Sequence, residues 1–188
     1  MHAFIKAAGL SAILAAAVTT ASAAPAPAPP PPPLAIPSPN YVAIVQEVDV
    51  AKPAAEVWKR VGKYCDISEW FPGLNCVMTA GKDGQLGAVR TLNGSTIEMM
   101  VARTDLSYTY AQPVRVGQPY NAYHGTLEAK PVTATTSKLV YSLFFDNSML
   151  ADEAAKTRDI EGRSTRFMGA LKNMKTLAEG GTLPPPAR

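Results

Sequence analysis

The stretch from Asp152 to Glu179 constrains the fold more than any other, because it offers one long helix. Asp152 and Glu153 stand in its first turn, where carboxylates meet the positive end of the helix macrodipole, and Lys172 and Lys175 stand in its last turns. Gly180-Gly181 and then Pro184-Pro185-Pro186 end it. Ile160, Phe167, Leu171, Met174 and Ala178 recur at helical spacing, and Ala170 and Leu177 widen the stripe. At 1.5 Å per residue the helix runs roughly 40 Å. An apolar stripe of that length needs a broad surface to lie on, and the short strands expected between Tyr41 and Phe145 supply one.

Residues 1–23 read as a signal peptide. Lys6 gives the positive n-region, Ala7 to Val18 is an apolar run too short to span a bilayer, and Ala21-Ser22-Ala23 has the small residues a signal peptidase reads. Cleavage is expected after Ala23, with a short membrane anchor as the competing reading. No cysteine lies near that point, which argues against a lipoprotein. Residues 24–40 are a Pro/Ala tract and form an extended, semi-rigid spacer; a ligand for a proline-reading domain is the alternative. Residues 41–180 are one folded domain, large enough for a core, and 181–188 a disordered tail. Of 18 Lys and Arg and 15 Asp and Glu, only Lys6 leaves with the signal peptide, so the mature balance is +2. That excludes nucleic acid as the expected partner. The rest of the chain has no run long enough for stable membrane insertion. The expected location is secreted, in a bacterial periplasm. Cys65 and Cys76 are the only cysteines there, and they either close a short disulfide loop or remain two buried thiols.

Taken in order, Tyr41 to Val50 alternates as a half-buried strand, with Val42, Ile44, Val48 and Val50 on one face and Glu47 and Asp49 on the other. Pro53 opens a short helix carrying Val57 and Val61, and a second helical turn covers Asp66 to Phe71. Six strands follow: Leu74 to Thr79, Ala88 to Leu92, Thr96 to Arg103, Leu106 to Ala111, Tyr120 to Glu128 and Lys138 to Phe145. Asn93-Gly94 is a two-residue hairpin signal. A tight antiparallel meander followed by a long helix makes the class α+β.

Four blocks in this order resemble the SRPBCC superfamily, the START-like or polyketide cyclase/dehydrase and lipid transport group. They are Val48 to Trp58, Trp70-Phe71-Pro72-Gly73-Leu74, Gly87-Ala88-Val89-Arg90-Thr91-Leu92 and Pro119-Tyr120-Asn121-Ala122-Tyr123. The chain looks closest to secreted bacterial members, some of which accompany periplasmic methanol oxidation, and then to plant abscisic-acid receptors. The resemblance implies a helix-grip fold, a curved seven-stranded antiparallel sheet wrapped around the C-terminal helix, with two short helices after the first strand and an apolar cavity inside. It implies no single function, since fold and function separate in such groups.

Strand alternation and the family pattern together turn Asn75, Leu92, Met99, Val101, Tyr123, Tyr141, Leu143 and Phe145 toward the helix, which answers with Phe167 and Ala170. These are the expected ligand-binding residues, unless they close into an ordinary core. Tyr108, Tyr110, Tyr120, Tyr123 and Tyr141 favour a cavity, because a buried hydroxyl needs a partner. Relatives that read ligands place a glutamate where counting from Asp105 puts Met99. Glu98 is one residue off and is expected to face out, leaving the polar anchor absent unless a bulge restores it. Glu98, Asp105 and Asp146 read as solvated strand ends and turns. His124 neighbours Tyr123 and points to the other face, so a histidine base is not expected. One histidine with two cysteines makes no metal set, and no cofactor is called for.

These readings converge on an exported protein that binds a small apolar molecule as carrier or sensor and does not transform it. A cyclase or dehydratase using Tyr123, Asn75 and Arg90 or Arg166 is the alternative, followed by a docking protein of a periplasmic dehydrogenase. Asn75 is the expected polar anchor, and an amide there favours a ligand with a neutral polar end.

Overall fold

The computed structural model describes residues 38–115 and 117–184. The expected signal peptide, the spacer up to residue 37 and tail residues 185–188 lie outside the described residues. Strand β1 (Tyr41–Val50) leads into helix α1 (Ala54–Val61) and the single turn α2 (Ile67–Trp70). A meander follows through β2 (Cys76–Ala80), β3 (Val89–Leu92), β4 (Thr96–Thr104), β5 (Ser107–Ala111), β6 (Asn121–Pro131) and β7 (Ser137–Asp146). Helix α3 (Glu153–Ala178) closes the fold. The seven strands form one antiparallel sheet in the order β1-β7-β6-β5-β4-β3-β2, so the first strand closes on the last. This is the helix-grip arrangement.

Asp152 caps α3, its side chain accepting the Ala155 N–H at 2.7 Å. Only Ala170, Leu171 and Met174 of α3 are fully buried, all in its C-terminal half. The same half is tied down by polar contacts. Lys175 Nζ donates to the Asp49 carbonyl at 2.8 Å, Glu179 accepts the Ala51 N–H at 2.8 Å, and Asn173 Nδ2 donates to the Trp70 carbonyl at 3.0 Å. Val57 and Val61 of α1 and Ile67 and Trp70 of α2 join the core. Cys65 and Cys76 are bonded, which fastens the segment before α2 to the start of β2.

The β3–β4 hairpin departs from expectation. Asn93 and Gly94 both take positive φ, as a primed turn requires, and the Ser95 N–H donates to the Leu92 carbonyl at 3.1 Å. The ladder nevertheless resumes with Leu92 opposite Thr96 and Arg90 opposite Glu98, so Ser95 is an extra loop residue. One added residue turns every following side chain to the other face. A second irregularity lies between Met100 and Ala102, and counting back from Asp105 crosses it. Met99 and Val101 therefore face outward, 44% and 42% exposed, while Glu98 and Met100 face in at 3% and 2%. The expected facing is corrected on all three of Met99, Val101 and Glu98. Asp146 is corrected too: it is buried, and its carboxylate accepts the N–H groups of Asn40 and Ser148 at 2.8 and 2.9 Å.

Candidate functional site

Between the concave sheet and the N-terminal half of α3 lies a cavity of about 540 Å³. Its apolar wall comes from Ile67, Phe71 and Leu74 around α2, Leu92 of β3, Tyr110 of β5, Tyr123 of β6 and Phe167 of α3. The disulfide fixes the segment that supplies the first three. Arg158, Asp159, Gly162, Arg163 and Arg166 line the helix side.

A polar chain runs along the sheet side. Arg90 is wholly buried and holds Glu98 through Nε at 2.7 Å and Nη2 at 2.6 Å. Its Nη1 donates to the Tyr64 carbonyl. The guanidinium also lies 4.1 Å from the Tyr64 ring centre and 5.0 Å from that of Tyr110. The other Glu98 oxygen accepts from Gln112 Nε2 at 2.9 Å, and Gln112 Oε1 accepts the Tyr120 hydroxyl at 2.7 Å. Tyr110 and Tyr141 hydrogen-bond through their hydroxyls at 3.0 Å. On the helix, Arg163 Nε reaches both Asp159 oxygens at 3.0 Å, and its guanidinium stacks near Tyr120, Tyr123 and Phe145.

Burial pushes the Tyr123 phenol up to about 12, against the lowering pull of Arg163, and lifts Tyr110, Tyr120 and Tyr141 as well. All four stay protonated near neutrality, able to donate and accept hydrogen bonds. Among the described residues no three of His, Cys, Asp and Glu come together to hold a metal ion.

The sequence profile of the family described as polyketide cyclase / dehydrase and lipid transport matches residues 41–179. The chain belongs to this family. No curated protein matches it. Among solved structures of the same shape is protein XoxI from Bacillus cereus, 21% identical, covering 71% of this chain and 93% of its own, at a TM-score of 0.56. The Zhui aromatase/cyclase from Streptomyces sp. R1128 is 17% identical over 76% of this chain and 100% of its own, at 0.56. Norcoclaurine synthase from Thalictrum flavum is 13% identical over 79% and 100%, at 0.58. At such identities the likeness is one of fold.

Of the residues expected to bind a ligand in this member of the polyketide cyclase and lipid transport family, Leu92, Tyr123 and Phe167 line the cavity. Tyr141, Leu143, Phe145 and Ala170 are buried in the core behind its walls. Met99 and Val101 lie on the outer face. Asn75 is exposed, just before β2, where its N–H donates to Asn93 Oδ1 at 2.8 Å and its carbonyl accepts the Asn93 N–H at 2.9 Å. It locks a loop and does not reach the cavity. Sequence reasoning named Tyr120 and Arg166 without placing them together, and it missed Glu98, Gln112, Arg158 and Arg163 as lining residues. For the helix side, the i, i+4 spacing of Arg158, Gly162 and Arg166 was the visible signal.

Proposed function

We propose that the protein binds a small, largely apolar molecule between sheet and helix and acts as its carrier or sensor outside the cytoplasm. The observation that carries this reading is the cavity itself. Its volume falls in the range of small-molecule sites, about 300–1,000 Å³, and it combines aromatic and aliphatic walls with a few placed polar groups. Family membership supports it, since the family takes its description in part from lipid transport. The carboxylates of the cavity lining, with Gln112 and Tyr120, are already committed to other protein groups: Glu98 to Arg90 and Gln112, Tyr120 to Gln112, Asp159 to Arg163. Phenols pushed upward by burial suit orientation better than proton transfer at neutral pH. The bonded cysteines support an oxidising compartment, in keeping with the signal-like first 23 residues.

A cyclase or dehydratase is the second reading, favoured by the family's description and by the shared shape of the Zhui aromatase/cyclase. The test is to express the whole chain with export, purify it from the periplasm, and extract it with solvent for mass spectrometry. A hydrophobe recovered from the protein and unchanged on rebinding is expected, together with an intact mass beginning at Ala24. A bound precursor that is released as a dehydrated or ring-closed product would favour the enzyme. Protein that carries nothing and binds no hydrophobic probe would overturn both.

A further inference from the structure

We infer that the molecule held in this cavity carries one anionic group, a carboxylate or phosphate monoester, at its outer end; this rests on the binding role proposed above. Arg158, Gly162 and Arg166 succeed one another at single-turn spacing on the cavity side of α3. Both arginines are exposed, which places them where the cavity meets solvent. Their backbone positions are about 12 Å apart along the helix axis. Between them Gly162 has no side chain, and an atom in its Cβ position would meet nothing within 4 Å. Two long guanidinium arms thus flank a bare patch of helix.

The charges around the cavity do not balance. Glu98 and Asp159 are its lining carboxylates, and each already holds an arginine, Arg90 and Arg163. None of the ion pairs among the described residues includes Arg158 or Arg166. The Arg166 guanidinium carbon lies 5.4 Å from the Phe71 ring centre, a contact that uses the face of the group and takes none of its N–H donors. A guanidinium fork matches the oxygens of a carboxylate or phosphate. An anion over Gly162 meets both forks while its apolar body lies inward against Phe71, Leu92 and Phe167. The neutral polar end expected from Asn75 has no basis here, because Asn75 lies outside the cavity.

The test loads the mature chain with the neutral fluorophore N-phenyl-1-naphthylamine and displaces it with dodecanoate, dodecyl phosphate or dodecanol. Their apolar tails are equal, so the head group decides. At least one of the anions is expected to displace the probe at roughly tenfold lower concentration than dodecanol, a difference of about 1.4 kcal/mol. The advantage should shrink with added salt and vanish in Arg158→Gln/Arg166→Gln. Arg158→Lys/Arg166→Lys, with thermal melting as the check on folding, should keep part of it. Whichever anion competes better identifies the head group. Dodecanol competing as well as both anions, or an advantage that survives the double Gln substitution, overturns the inference alone. A wild-type chain that fails to take up the fluorophore overturns the binding role and this inference together.

Discussion

Arg90 is fully buried, and among the described residues Glu98 is its one carboxylate partner. Removing one member of a buried pair strands the other charge. Glu98→Gln is therefore expected to lower stability by about 3–5 kcal/mol in urea denaturation. Arg90→Met/Glu98→Leu should recover most of that loss, because well-packed apolar residues replace such pairs at little cost. A Glu98→Gln chain as stable as wild type would show that the pair adds nothing to the fold. The same two residues explain why β4 was misread. Ile97, Met99 and Val101 alternate as a buried face should, yet they sit on the outer surface. The inward charge at Glu98 is tolerated because Arg90 stands opposite it across the hairpin. Periodicity weighs each residue by its own polarity and cannot register a partner supplied by another strand. Asn75 failed for a related reason: its backbone is engaged by Asn93, a contact fixed by the loop and not by the strand.

At the scale of elements, α3 carries a cost in its own middle. A helix-interior glycine is worth roughly 0.5–1 kcal/mol less than alanine, and Gly162 has room for a Cβ. Gly162→Ala is expected to stabilise the protein by that amount in thermal or urea melts without loss of affinity for N-phenyl-1-naphthylamine. Gly162→Phe, projecting a ring over the cavity, should weaken that affinity about tenfold. Unchanged affinity in Gly162→Phe would place the entrance elsewhere. The elements themselves were legible, since strand alternation, Pro53 at the start of α1 and the Gly-Gly stop after α3 are local signals. The cavity was not, because it is the gap left where α3 and the sheet do not fill each other. Half of its wall comes from polar residues that no apolar stripe marks.

For the whole molecule, acid should help in one window. Burial raises the Asp66 carboxyl to about 6, with Glu69 and Asp83 adding to the rise and the Lys63 N–H and charge opposing it. The unfolded chain keeps the ordinary value near 4. Between about 4 and 6 the folded state thus binds more protons than the unfolded one, and this group's contribution falls as pH rises through that window. Asp66→Asn should remove this part of the pH slope when stability is measured at both ends. An identical slope in the variant would mean that Asp66 titrates as it does in the unfolded chain.

Helix α3 is fastened more heavily at one end than at the other. Ala170, Leu171, Met174 and the ties through Asn173, Lys175 and Glu179 hold its C-terminal half, while none of residues 153–169 is fully buried and one sheet contact, Gln46 Nε2 to the Ser164 carbonyl at 2.9 Å, holds that half. The consequence is kinetic. If the cavity holds a guest as proposed, the guest's dwell time is expected to follow how often the less heavily tied half lifts, a local opening far cheaper than global unfolding. Amides from Ile160 to Arg166 should exchange with deuterium well ahead of those from Leu171 to Leu177, and substitutions that change the first rate should change guest release in step. Stability and residence time are then separately adjustable on a single helix.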